Sequence, residues 1–113
     1  AESARSAAEV VALTNKSHPT LLYLGTASYD NRTKLQYATL NYSKLGCPIK
    51  VLDVSWKDPS ESEINLAFDD VDVLLLAGGN TLFAVDRWTK LGLDSKIRTA
   101  ILERDVVVAG GSA

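Results

Sequence analysis

Two short stretches place glycine beside a hydroxyl or amide side chain in patterns that serve chemistry. Gly110-Gly111-Ser112-Ala113 sets a serine among small residues directly after the apolar run Val106-Val107-Val108-Ala109. A serine at the end of a strand, on the way into a helix, matches the nucleophile elbow Gly-x-Ser-x-Gly. There a tight turn pushes the hydroxyl into a cleft, small neighbours let strand and helix approach, and the next N–H can bind an oxyanion. Residues 110–113 fill all positions of that pattern but the last, which would be residue 114. The competing reading is an ordinary strand-to-turn junction. The second stretch, Gly78-Gly79-Asn80-Thr81, follows another apolar run, Val-Asp-Val-Leu-Leu-Leu-Ala over residues 71–77. Two glycines between a buried strand and a helix can form a nest of N–H groups for an anion, and Asn80 or Thr81 would cap the helix. Here the choice lies between an oxyanion-hole loop and a tight turn with a good cap. The loop lacks the Gly-Lys-Ser/Thr ending of a P-loop and the spacing of a dinucleotide fingerprint.

The elements that must position these stretches alternate in type. Residues 3–14 read as a helix with Ala4, Ala7, Ala8 and Val11 on one face, and residues 20–24 as a buried strand. Residues 31–45 read as a helix with a stripe of Leu35, Ala38, Tyr42 and Leu45, stopped by Gly46. A strand over 49–54 follows. Ser60 and Glu63 have capping-box spacing before Ile64, Ala67 and Phe68. The third strand covers 71–77; a helix over 81–91 closes at Gly92, and Asp94 is placed to cap another helix running to Arg104. The fourth strand is 106–109. Strands separated by helices, without strict polar alternation, predict a parallel sheet covered on both faces: a three-layer α/β unit. In such a sheet ligands bind beyond the carboxyl ends of the strands, which are Gly25-Thr26-Ala27-Ser28, Asp53-Val54-Ser55-Trp56 and the two glycine stretches.

Composition removes several function classes. The chain has 113 residues, 46% hydrophobic and 23% charged, with 12 Lys+Arg against 14 Asp+Glu. That is one α/β domain over residues 1–113, without the basic stripe a nucleic-acid partner requires. No apolar run approaches the roughly 20 residues that span a bilayer, and the residues from Ala1 lack the order of a secretory signal. One cysteine, Cys47, rules out an internal disulfide framework and suits the cytoplasm. With one cysteine and one histidine, His18, no structural zinc site or other metal site is expected. Asp69, Asp70 and Asp72 read as a solvated turn, and Asp53 as a structural hydrogen-bonding group near the cleft. Trp56 would line a pocket or pack over the sheet edge, Trp88 would serve the core or an interface, and Cys47 reads as inert. The chain stops after a central-type strand with no helix to cover it, which suggests part of a larger protein ending at the elbow.

Residues 73–82, then Leu91-Gly92-Leu93-Asp94, Ile97-Arg98 and residues 107–113 together resemble the dipeptidase E and cyanophycinase family of serine peptidases. Residues 24–28 resemble that family's first strand-end turn, and Leu45-Gly46-Cys47 with Val51-Leu52 its second unit. The resemblance runs from about Thr20 to Ala113. It implies a class I glutamine amidotransferase-like (flavodoxin-like) fold, incomplete here, in which serine replaces the nucleophilic cysteine.

By that resemblance Ser112 would be the acylated nucleophile, with the N–H groups of Gly79, Gly78 and Ala113 as the oxyanion hole. Asn80, Thr81 and Ser28 would be substrate contacts. The reaction would be hydrolysis of a peptide bond next to an aspartyl residue, in an aspartyl dipeptide or small peptide, with no cofactor. Family members place the general base and its acidic partner beyond the nucleophile, and another strand ahead of the first helix. His18 precedes the strand starting near Thr20, at the edge of the sheet opposite Ser112, so this chain alone is expected to be inactive. Its expected partners are the missing remainder of the same protein or a second copy, with no nucleic acid and no membrane. The alternatives are a cyanophycinase-like hydrolase of the aspartate–arginine polymer, and a non-catalytic α/β module whose Gly78–Thr81 loop holds an anion.

Overall fold

Leu21, Leu22 and Leu24 are wholly buried, and Tyr23 nearly so, because the strand they form has a neighbour on each side and helices on both faces. The computed structural model describes residues 5–110. Its elements run α1 (Ala7–Leu13), β1 (Leu21–Leu24), a single 3-10 turn (Thr26–Ser28), α2 (Arg32–Lys44), β2 (Ile49–Val51), α3 (Glu61–Phe68), β3 (Val73–Leu76), α4 (Thr81–Leu91), α5 (Leu93–Glu103) and β4 (Val107–Gly110). The strands form one parallel sheet in the order β2-β1-β3-β4. Leu21 lies opposite both Ile49 and Val73, and Leu76 lies opposite Gly110.

Successive side chains of a strand point to opposite faces, which divides the core in two. Leu22, Leu24 and Leu74 meet Ile64, Phe68, Leu93 and Ala100 from α3 and α5, with Trp88 and Leu91 of α4 against them. Leu21, Tyr23, Val73 and Leu75 meet Val10 of α1, Tyr42 of α2 and Cys47. The parallel α/β sheet flanked by helices is therefore the architecture the alternating pattern predicts.

Several local expectations change. Helix α1 starts at a capping box, the Glu9 N–H donating to Ser6 Oγ at 3.1 Å and the Ser6 N–H to Glu9 Oε1 at 3.2 Å. The same box forms at Ser60 and Glu63, as their spacing predicts. Ala7 and Val11 pack on the core as their spacing predicts, but the α1 residue sunk deepest is Val10 and Ala8 is exposed, because the helix is rotated to bring a larger side chain inward; Ala4 lies outside the described residues. Leu45 is likewise 40% exposed, since α2 ends at Lys44 and the stripe does not continue past it. Strand pairing in β2 stops at Val51, although Leu52 and Val54 stay buried against the α3 side. Asp94 does not cap α5: its carboxylate accepts only from the Ser95 N–H, at 2.9 Å. Gly92, at φ 71°, both ends α4 and begins α5.

Candidate functional site

With the order β2-β1-β3-β4 the chain winds outward from β1 to β2, then crosses back to β3. The winding reverses between β1 and β3, and a doubly wound sheet offers its crevice there. In this structure the two loops above that point are clasped together. The Asn80 N–H donates to the Ala27 carbonyl at 2.6 Å and the Ala77 N–H to the Leu24 carbonyl at 3.0 Å. Gly79 sits at φ +133°, and a Cβ there would run into the Ala27 carbonyl oxygen. Beneath the clasp, the Trp88 indole N–H donates to Thr26 Oγ1 at 2.9 Å, satisfying a hydroxyl on a fully buried residue.

The Asn80 N–H is committed to Ala27, but among the described residues neither the Gly78 nor the Gly79 N–H has an acceptor. Gly78 is half-buried and Gly79 exposed. Both follow β3, whose last residue, Leu76, pairs with Gly110 of β4. Gly110, the last described residue, thus lies one strand spacing, about 4.8 Å, from Leu76, two residues before Gly78. Ser112 and Ala113 themselves lie outside the described residues.

The three expected substrate contacts are placed differently from one another. Asn80 is the cap of α4, its Oδ1 accepting from the Phe83 N–H at 3.0 Å, while its Nδ2 donates to the Tyr29 hydroxyl at 2.7 Å. The side chain is thereby fixed at both ends, with its second Nδ2 hydrogen left uncommitted among the described residues. Thr81 is the exposed first residue of α4. Ser28 is 7% exposed and turns its hydroxyl to the Gly25 carbonyl at 3.2 Å, away from solvent.

On the α1–α2 face a groove of about 850 Å³ runs up to the same loop, bounded by Arg5, Lys34, Tyr37, Gly79 and Gly110. Tyr23 borders it. Its hydroxyl is buried without a hydrogen-bond partner among the described residues, the nearby Ser28 hydroxyl being committed to Gly25. Burial pushes the Tyr23 phenol up, the Asp30 carboxylate adds to that, and the Ser28 hydroxyl opposes it.

The other singled-out residues serve the fold. Asp72 pairs with Lys16 at 2.7 Å and accepts from the Thr20 N–H at 2.9 Å, tying the amino ends of β1 and β3 together. Asp53 pairs with Arg32 at 3.2 Å. His18 lies at the amino end of β1, its ring so close to Gly46 that a Cβ there would stand 2.7 Å from Cδ2. Cys47 is buried, and burial pushes its thiol up. Among the described residues no group of three or more His, Cys, Asp or Glu could hold a metal ion, and no helix is long and apolar enough to cross a membrane.

What sequence reading misses is an aromatic cluster beside the glycine loop. Tyr29 and Trp56 stack with centroids 5.9 Å apart, and Phe83 tilts against both at 4.8 and 5.6 Å. The rings come from three separate segments, so only Trp56, at a strand end, signalled itself.

The family model of peptidase family S51 matches residues 2–113, almost the whole chain. The chain belongs to peptidase family S51. This S51 chain is 33% identical over 98 residues to the uncharacterized peptidase YgaJ of Bacillus subtilis (strain 168), a match covering 87% of the chain and 41% of that relative. It also superposes on a crystal structure of a protein assigned as peptidase E from Listeria monocytogenes EGD-e, with a TM-score of 0.73 at 19% identity. That superposition covers 95% of the chain and 52% of the other, and it confirms the fold. The S51 chain thus spans about half the length, or less, of these relatives.

Proposed function

We propose that the protein is a serine-type peptidase of the dipeptidase E kind, hydrolysing peptide bonds next to aspartyl residues through an acyl-enzyme on Ser112. The observation that supports this reading is the Gly78–Gly79 turn, whose N–H groups have no acceptor among the described residues and which follows β3 beside β4 and Gly110. Membership of a peptidase family supports the same chemistry.

Ser112 Oγ attacks the scissile carbonyl carbon, and the carbonyl oxygen becomes an oxyanion that accepts from the N–H groups of Gly79, Gly78 and Ala113. Collapse expels the amine, and water then releases the acid from the ester. A preorganised donor of this kind lowers the barrier by about 3 kcal/mol. The Gly78 and Gly79 donors are preorganised because the Ala27 clasp and the Asn80 cap hold their loop before substrate arrives. The proton from Ser112 needs a base, and His18 sits against Gly46 at the far end of the sheet. The family resemblance places the base beyond the nucleophile, and residues 1–113 by themselves are expected not to turn over substrate.

The test of specificity is a panel of dipeptides differing only in the first residue. The whole protein should cleave Asp-Leu in preference to Asn-Leu and Glu-Leu; equal rates on all of them would remove the aspartyl assignment while leaving the nucleophile untouched.

A further inference from the structure

The aromatic cluster beside the glycine loop has the features of a built binding surface. Trp56 is 73% exposed and Tyr29 44%, so two large rings face water where burial would be worth a few kcal/mol. Singly exposed aromatics need no explanation, but these two are stacked, and each is held in place by polar contacts of its own segment.

Arg87 of α4 brackets Trp56. Its Nε donates to the Val54 carbonyl at 2.7 Å, and its Nη2 donates to the Lys57 carbonyl at 3.1 Å and pairs with Asp58. The turn carrying the indole is thus clamped on both sides. Tyr29 is held by the bond from Asn80, and the next residue, Asp30, accepts from the Ser55 N–H at 2.9 Å, joining the two aromatic turns. Tyr29 and Asp30 both adopt φ 57°, a left-handed conformation that is strained for residues with side chains. Two consecutive strained residues persist only where the surroundings over-determine them, and such strain gathers at ligand sites. Here it turns the Tyr29 ring outward onto Trp56 and Phe83.

Position supplies the ligand. Tyr29 is tied to the glycine loop itself through the bond from Asn80, and Phe83 is the third residue of the helix that follows that loop. A residue adjoining a peptide bond held at Gly78–Gly79 therefore has the cluster beside it, within reach of a side chain, since one extended residue advances about 3.3 Å and an aromatic side chain adds more. The two arginines nearest the cluster are each matched by a carboxylate, Arg32 by Asp53 and Arg87 by Asp58.

We infer that Tyr29, Trp56 and Phe83 form a subsite for an aromatic or large apolar side chain of the peptide, next to the bond held by the Gly78–Gly79 loop. This rests on the proposed peptidase reading for its occupant, and the test separates the two. Asp-Phe, Asp-Ser and Gly-Phe are titrated into the Ser112→Ala protein, which holds peptide without turnover, while the Trp56 indole N–H resonance is followed. The resonance should move with both Phe peptides and stay still with Asp-Ser. The Phe-over-Ser preference should fall about tenfold in Trp56→Ala, the change that one aromatic pair represents. Trp56 is exposed enough for that variant to fold. Equal binding of Asp-Phe and Gly-Phe would end the aspartyl assignment and leave the subsite standing. An indole resonance that ignores the Phe peptides, including one already buried by other parts of the whole protein, would overturn the subsite, as would an unchanged preference in Trp56→Ala.

Discussion

Replacing Gly79 by alanine attacks the clasp that the site depends on, and a second glycine provides the control. Gly79 lies at φ +133°, where side-chain-bearing residues are rarely found, and its Cβ would collide with a backbone oxygen that cannot swing away. The backbone conformation costs about 1–3 kcal/mol, and forcing a methyl into filled space about as much again. The sum, about 2–6 kcal/mol, is a large part of the roughly 5–15 kcal/mol that holds a domain together. Gly92 is also at positive φ, +71°, but a Cβ there meets nothing within 4 Å. Gly92→Ala should therefore cost only the left-handed term, about 1 kcal/mol. Melting followed by circular dichroism should place Gly92→Ala about 4–8 °C below wild type and Gly79→Ala about 10 °C or more below it. If Gly79→Ala stays folded, the peptidase rate of the whole protein should also drop by about a hundredfold, because relief of the collision would move the proposed Gly78 and Gly79 donors off the oxyanion. Equal melting losses for the two variants would refute the clasp.

Other consequences follow from single contacts. Asn80→Ala removes both the α4 cap and the Tyr29 bond and should cost about 1–3 kcal/mol by urea denaturation, whereas Asn80→Asp, which keeps the cap, should cost less. Glu9 and Glu63 are held below their ordinary carboxylate values, chiefly by the backbone N–H groups of Ser6 and Ser60. The folded state thus binds fewer protons than the unfolded one, so this stabilisation is complete above the ordinary carboxylate range and is lost as pH falls through the lowered values. The urea midpoint of wild type should fall with acid more steeply than that of the Glu9→Gln, Glu63→Gln double variant. Buried Cys47, its thiol pushed up by burial, should resist iodoacetamide at neutral pH until the protein is denatured.

The parts of this fold that were readable in the sequence are those set by local rules. Ser60 and Glu63 declare a helix start because the two groups satisfy each other's backbone within one turn, and residues 81–91 declare a helix bounded by Asn80 and Gly92. Buried strands show as apolar runs, though pairing trims them: residues 71–77 contain a four-residue β3, and residues 49–54 a three-residue β2. Helix rotation was less legible, because α1 offers Ala7, Ala8, Val10 and Val11 and only docking on the sheet selects Val10. The glycine loop was visible as two adjacent glycines after a strand. Its closure onto Ala27 was not, since that contact joins residues far apart in sequence. The aromatic cluster is the extreme case: Tyr29, Trp56 and Phe83 share no spacing, and only the order β2-β1-β3 brings their segments to one edge.

The central claim is that Ser112 is the nucleophile served by the Gly78–Gly79 donors. Its most direct test is intact-mass and peptide mass spectrometry of the whole protein after exposure to a fluorophosphonate, a reagent that phosphonylates activated serines with loss of fluoride and draws on the same oxyanion donors. The account predicts one adduct, on Ser112, absent in Ser112→Ala and strongly slowed in Gly79→Ala. Labelling of a different serine, or a peptidase-active protein that takes up no label at Ser112, would contradict it.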